Sequence, residues 1–402
     1  VLTPNGGVGV YFRVRAIDNE GLRDPNPPVQ AFKFRNHPPV VTLTTYPNHA
    51  DRSDTTFASV TLAWNVSDPD GDATKIQYQV WLDGRDATPD VTMNRSFTIP
   101  SDRFQVGGAY TSGFRTVSIR AIDDGGLAGT VVSVRWYVRQ PAANAHARLL
   151  IVDDMPAYDI SGIANTANFR IDTLYANTAA RNLPAGSYST LQLLFNRPFK
   201  SAKDLEQTFK LFDGVVWYRG NEASISPELS QYEDGLRAYL DAGGRFYLDG
   251  LYLFRGQNAD GALSEDFVNR YLDCNGFRKS FVIAQSFTDS TIGINNRNNS
   301  SFFSTLFADS CKFGGLPTIS GGAGGVRAFN VKSASDIAFM APPTALTPAA
   351  TESLCVAAAV PQANGGKVFV SSLPIGLAVP INANPSARFL GKVFGWLGLV
   401  GP

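Results

Sequence analysis

Residues 243–254, GGRFYLDGLYLF, set a short apolar run, Arg245 to Leu248, directly before Asp249-Gly250. A strand that ends in a tight bend exposes the side chain on that bend and aims backbone N–H groups at one point, which is what covalent acyl transfer needs. Here the bend carries a carboxylate, and no Cys, Ser or Thr occurs among residues 246–254. The chain has three histidines, His37, His49 and His146, and none after residue 146. A Cys–His or Ser–His relay within the C-terminal half is therefore excluded by composition. Asp249 could act as a nucleophile only with a base, or a metal, beside it. Asp153 and Asp154, which end the run LLIVDD (149–154), are the candidates to stand there, and three carboxylates at strand ends suit Mg²⁺ or Ca²⁺. The alternative is that Asp153 caps the next segment and Asp249 accepts the N–H groups of its own turn. The run VVWYRG offers no phosphoacceptor aspartate, because it ends in Trp217-Tyr218-Arg219.

Three further groups of residues could bind. SDPDGD (67–72) sets Asp68, Asp70 and Asp72 at alternating positions, which suits calcium at extracellular concentrations. Asp-Pro-Asp-Gly is equally an ordinary tight turn with glycine at positive φ. GLYLF (250–254) places aromatics, Tyr252 among them, where a protein partner or a sugar face could be held, with core packing as the alternative. The three cysteines, Cys274, Cys311 and Cys355, lack metal-ligand spacing. Buried free thiols are one reading; in an oxidising compartment Cys274–Cys311 is the expected pair. No cofactor is expected other than calcium at the acidic turn.

The elements that must position these groups fall into two kinds. FRVRAIDNEGL (12–22) and VSIRAIDDGGL (117–127) align without a gap, each an alternating strand, a glycine turn and a second strand, Val29–Arg35 or Val131–Val138. Between them, VTLAWNV (60–66) puts Val60, Leu62, Trp64 and Val66 on one face, KIQYQVWL (75–82) does the same with Ile76, Tyr78, Val80 and Leu82, and RSFTIP (95–100) adds a short strand. Short alternating strands over this spacing predict a β-sandwich: one complete copy over residues 38–140, and the last hairpin of another over residues 1–37. After a Pro/Ala-rich linker at 141–147 the pattern changes to strands alternating with helices, which indicates a doubly wound α/β domain over residues 148–402. SPELSQYEDGLRAYLDAGG (226–244) predicts one helix, capped by Ser226 with Pro227 behind it. SARFLGKVFGWLGL (386–399) predicts a closing amphipathic helix, and about 255–365 is expected to be a loop-rich insertion.

The Trp64 strand, SDPDGD and the two RAID…GL hairpins resemble fibronectin type III or related immunoglobulin-like modules of bacterial envelope and secreted proteins. LLIVDD, FDGVVWYRGN with the helix and strand after it, and GKVFVSSLP…FLGKVFGWLGL resemble a class I glutamine-amidotransferase-like, flavodoxin-like domain. That second resemblance implies a cysteine nucleophile on the strand-to-helix turn, with histidine and glutamate behind it; here the seat holds Asp249-Gly250.

Bulk properties narrow the function. Lys+Arg and Asp+Glu number 35 each, so no net field draws in nucleic acid or an anionic membrane, and no apolar run of 18 residues spans a bilayer. The expectation is a non-catalytic extracytoplasmic binding or assembly protein of a bacterium, with other proteins as partners, as an accessory subunit of an envelope or membrane-associated complex. Its leader or anchor would lie upstream of these residues. The alternative is a hydrolase that uses carboxylates or a metal on a glycan or peptide.

Overall fold

A computed structural model describes residues 7–47, 55–84, 88–142, 148–155, 166–193, 197–220, 225–250, 253–254, 261–278, 354–372, 374–375 and 385–400, with short pieces at 282–283, 292–294, 311–313, 328–332, 337–341 and 346–347. Strands β1 (Gly7–Arg13) and β2 (Val29–Arg35) form an antiparallel ribbon. Then come β3 (Val40–Thr45), β4 (Val60–Ser67), β5 (Gln77–Leu82), β6 (Asp90–Thr92), β7 (Ser96–Ile99), the small pair β8 (Gln105–Val106) and β9 (Ala109–Tyr110), β10 (Gly113–Ile122) and β11 (Val132–Val138). These make two facing sheets, β3-β4-β7 and β11-β10-β5-β6. The alternation read from the sequence is the cause: Val60, Leu62 and Trp64 of one sheet and Ile76, Tyr78 and Val80 by the other are all buried. Trp64 and Tyr78 meet edge to face across the gap at 5.1 Å. Each such aliphatic side chain contributes roughly 1.5–3 kcal/mol when fully buried.

Among the described residues the second half is built on one nine-stranded sheet. Its order of appearance is β12 (Leu149–Asp153), α1 (Thr166–Asn182), β13 (Tyr188–Gln192), α2 (Ala202–Phe209), β14 (Gly214–Tyr218), α3 (Pro227–Gln231), α4 (Glu233–Asp241), β15 (Arg245–Asp249) and α5 (Glu265–Tyr271). It continues with β16 (Cys274–Arg278), β17 (Val282–Ile283), β18 (Ile292–Ile294), β19 (Cys311–Phe313), β20 (Ala328–Val331), β21 (Ile337–Ala341), β22 (Leu346–Thr347), β23 (Leu354–Pro361), β24 (Lys367–Ser371) and α6 (Pro385–Leu397). The order across the sheet is β13-β12-β14-β15-β24-β23-β20-β16, with β21 also on β23. The first five strands are parallel, and β23, β20, β16 and β21 extend them antiparallel. Every residue of β12 and β14 is buried, as expected of parallel strands covered on both faces. The region expected to be loop-rich thus supplies α5 and antiparallel strands of the sheet. The helix expected over 226–244 is two helices, broken at Tyr232, whose φ is −116°. Beyond the break, Gly235 comes so close to α2 that a Cβ there would lie 2.0 Å from the Ala202 carbonyl oxygen.

The two halves dock through a buried carboxylate. Ser201 caps α2 by accepting from the Asp204 N–H, and Asp204 turns its side chain toward the sandwich. Its Oδ1 accepts from Ser59 Oγ at 2.9 Å; its Oδ2 accepts from the N–H of Thr61 at 2.9 Å and of Lys200 at 3.1 Å. Thr61 Oγ1 continues the web to Ser201 Oγ and Thr98 Oγ1, each at 2.7 Å. Burial pushes Asp204 up to about 6, against hydrogen bonds that all favour the ionised form. Phe57 meets Phe212 edge-on at 5.2 Å, and Arg139 donates to the Thr190 carbonyl of edge strand β13.

Candidate functional site

Parallel register lines up the strand ends. Asp153 lies opposite Tyr218, Tyr218 opposite Asp249, and Asp249 opposite Ser371, so these four residues form one row across the sheet. Helix α1 lays Tyr175 over that row, its ring stacked on Tyr218 at 4.2 Å and 3°. Asp249 is 1% exposed. Its Oδ2 accepts from Tyr175 Oη at 2.6 Å, Tyr247 Oη at 3.0 Å and the Ile375 N–H at 2.8 Å. Burial, and then the Asp249 charge, hold both tyrosines far above their ordinary range, so they remain protonated donors. The carboxylate on the bend is thus enclosed by two tyrosine hydroxyls and a backbone N–H.

The bend itself is a structural necessity. Gly250 has φ +144°, and a Cβ there would lie 2.6 Å from Arg219 Cβ, so only glycine allows β15 to leave the sheet beside β14. Its N–H donates to the Ser371 carbonyl, and the Asp249 carbonyl accepts from the Arg219 N–H.

Asp153 and Asp154 do not stand together beside Asp249. Strand alternation sends them to opposite sides, so the geometry does not bring all three carboxylates to one point, which of the two readings of these acids only the cation site needs. Asp153 lies beside Asp172 of α1, and its Oδ1 accepts from the Met155 N–H at 3.0 Å. Burial first, and then the Asp172 charge, push Asp153 well above the usual carboxylate range. Burial also raises Asp172, although Tyr218 Oη donates to it at 2.8 Å. Asp154 faces the other way, and its Oδ2 accepts from Trp217 Nε1 at 3.1 Å and from Arg219 Nε at 2.9 Å. Arg219 is 1% exposed, so this is a buried ion pair. Glu228 lies nearby, raised by burial and then by Asp154.

The acidic turn behaves as a turn. Asp68 accepts from the Gly71 and Asp70 N–H groups, and Asp72 from the Thr74 N–H and hydroxyl. Those Thr74 bonds, with Lys75, take Asp72 down to about 2. Asp70 takes both the N–H and the Nδ1 of His37, so it ties the sandwich to the strand that enters it. Among the described residues no three His, Cys, Asp or Glu side chains gather as they would around a metal ion.

Cys274 and Cys355 are both buried, and their thiols donate to the carbonyls of Leu272 and Ala357; the Cys274–Cys311 pairing rests on a side chain outside the described residues. The side chain of Cys311, and Tyr252 entirely, lie outside the described residues. Tyr175, Tyr247, Asp172 and Arg219 are site residues that the sequence reading missed. The alternation that places Tyr247 on the same face as Asp249 was available; nothing local announces that Tyr175 covers both.

No family model matches the chain, and no curated protein matches it. Among solved structures it has a distant, partial likeness to fibronectin(III)-like modules of CbhA from Clostridium thermocellum, at 24% identity over 25% of this chain and 98% of that one, with a TM-score of 0.19. Among the described residues no helix is long and apolar enough to cross a membrane.

Proposed function

We propose that this chain is a non-catalytic, extracytoplasmic binding or assembly protein, in which an amidotransferase-like α/β half keeps the architecture of an enzyme without its chemistry. The observation that carries the reading is Asp249: on the bend where a nucleophile would sit, the chain places a carboxylate and closes two tyrosine hydroxyls and a backbone N–H over it. The absence of histidine after residue 146 supports the same conclusion, since no imidazole of that half can take a proton from a nucleophile. Balanced charge argues against nucleic acid and for proteins as partners, and the resemblance to envelope modules favours an accessory subunit of a bacterial periplasmic, surface or secreted complex. The test is a panel of amide, ester and phosphate substrates. We expect no turnover; turnover abolished by Asp249→Asn in a folded protein would refute the reading.

One observation favours a second reading, a carboxylate-dependent hydrolase of glycan or peptide: Asp153 and Asp172 stand together near the strand ends, both raised by burial first. That reading requires hydrolysis that falls at least ~100-fold in both Asp153→Asn and Asp172→Asn. Unchanged background rates in the two variants remove it.

A further inference from the structure

The outer face of the sheet β11-β10-β5-β6 carries a charge pattern that the fold does not use. Strand alternation turns Val117, Ile119 and Ala121 of β10, and Tyr78 and Val80 of β5, into the sandwich, where all are buried. The residues between them face outward, together with Ser133, Arg135 and Tyr137 of β11. None of the outward positions of these three strands holds Asp or Glu, and two hold arginine, Arg120 and Arg135. Elsewhere on the sandwich Arg103 and Arg115 are paired with Asp90 and Asp83. Arg120 and Arg135 have no ion-pair partner among the described residues.

Each guanidinium is instead propped on a ring. Arg120 lies 5.3 Å over Trp81, and its Nε donates to Gln79 Oε1 at 2.8 Å. Arg135 lies 4.3 Å over Phe114, which Tyr137 meets edge-on at 5.3 Å. Propping restricts a side chain that would otherwise sample many rotamers, so less entropy is lost when its N–H fork takes an acceptor. It also takes up the rings: Trp81 is 5% exposed although it stands on the outer side. A sugar, which rests its face on an open ring, is served poorly by this arrangement. A carboxylate, which needs two parallel N–H groups, is served well.

We infer that this face docks an acidic segment of a partner protein, laid extended along β10, with one carboxylate on Arg120 and another on Arg135. Register supplies the spacing. Arg135 lies opposite Thr116, four residues from Arg120 along β10, so the two arginines leave the sheet roughly 14 Å apart. An extended chain covers about the same distance in four residues and returns to the same side. The inference rests on the proposed function only in taking the partner to be a protein.

The test is an NMR titration of the isotope-labelled 402-residue chain with a synthetic peptide that carries two glutamates four residues apart. We expect shifts confined to amides of β5, β10 and β11. Affinity should fall about 3-fold in Arg120→Gln, about 3-fold in Arg135→Gln and about 10-fold in the double variant, while Arg103→Gln changes nothing. Circular dichroism establishes that the variants are folded. Absence of shifts on this face, or equal binding of the same peptide with its glutamates adjacent, would overturn the inference. So would tighter binding of tetragalacturonate, which would make an acidic glycan the ligand. Turnover at the strand ends would refute the proposed function and leave this binding intact, whereas loss of the binding would leave the Asp249 result untouched, so the two can fail separately.

Discussion

Asp204 and Asp249 are both buried carboxylates held by neutral donors, yet their donors come from different places. Those of Asp204 belong to the start of the sandwich strand β4, to Ser59 just before it and to the approach to α2, so the group ties two halves of the molecule into one body. Those of Asp249 belong to α1, to its own strand and to Ile375, all within the α/β half, so it closes a strand-end row on itself. The comparison teaches that a buried acid is not a site by virtue of burial. What it does follows from which elements supply its hydrogen bonds.

The largest effect should come from breaking the first group. Asp204→Ala leaves the Thr61 and Lys200 N–H groups and the Ser59 hydroxyl without their acceptor, which should lower stability by about 3 kcal/mol. Denaturant unfolding followed by tryptophan fluorescence should then show separate transitions for the two halves; a single unshifted transition would show that Asp204 does not couple them. Asp204→Asn, which keeps an acceptor oxygen, should cost only about 1 kcal/mol.

The same residue sets a pH dependence. Its folded value, about 6, lies above the ordinary carboxylate value, so the folded chain holds a proton that the unfolded chain releases. The stability it contributes is complete below about pH 4 and is lost as pH rises through about 6, amounting to no more than about 3 kcal/mol. Asp153, also raised, acts in the same sense over a higher range, so the Asp204 part is the difference between wild type and Asp204→Asn. A difference that does not change between pH 4 and 7 would contradict it.

Smaller effects sharpen the second group. Tyr175→Phe removes the 2.6 Å bond to Asp249 and should cost about 2 kcal/mol; Tyr247→Phe, at 3.0 Å, should cost about 1 kcal/mol. The reverse order, by thermal or chemical denaturation, would mean that Tyr175 is not the principal seal. The smallest effect is expected at the acidic turn: Asp70→Asn should leave the calcium response of the melting temperature as flat as in wild type, because the Asp70 carboxylate is engaged by His37. A calcium-dependent rise in melting temperature lost in this variant would establish a cation site at this turn.

The sandwich was readable because period-two alternation states both the strand and its buried face: Leu62, Trp64, Tyr78 and Val80 are where the pattern puts them. The α/β strands were readable as unbroken apolar runs. Helix α1 was not, since TANFRIDTLYANTAARN is rich in small and polar residues and its buried face rests on Ile171, Tyr175 and Ala179. With α1 unseen, Tyr175 could not be placed over Asp249. The opposite facing of Asp153 and Asp154 was implicit in the same alternation, but adjacency in sequence suggested proximity instead. Asp204 carried no local signal, because its role depends on Ser59 and Thr61, more than 140 residues earlier in the chain.

On the function proposed above, the strand-end row holds rather than reacts. Comparing wild type and Asp249→Asn for turnover of amide, ester and phosphate substrates, with circular dichroism to establish that both are folded, tests it most directly. The account predicts background rates in both proteins; turnover in wild type that disappears in folded Asp249→Asn would contradict it.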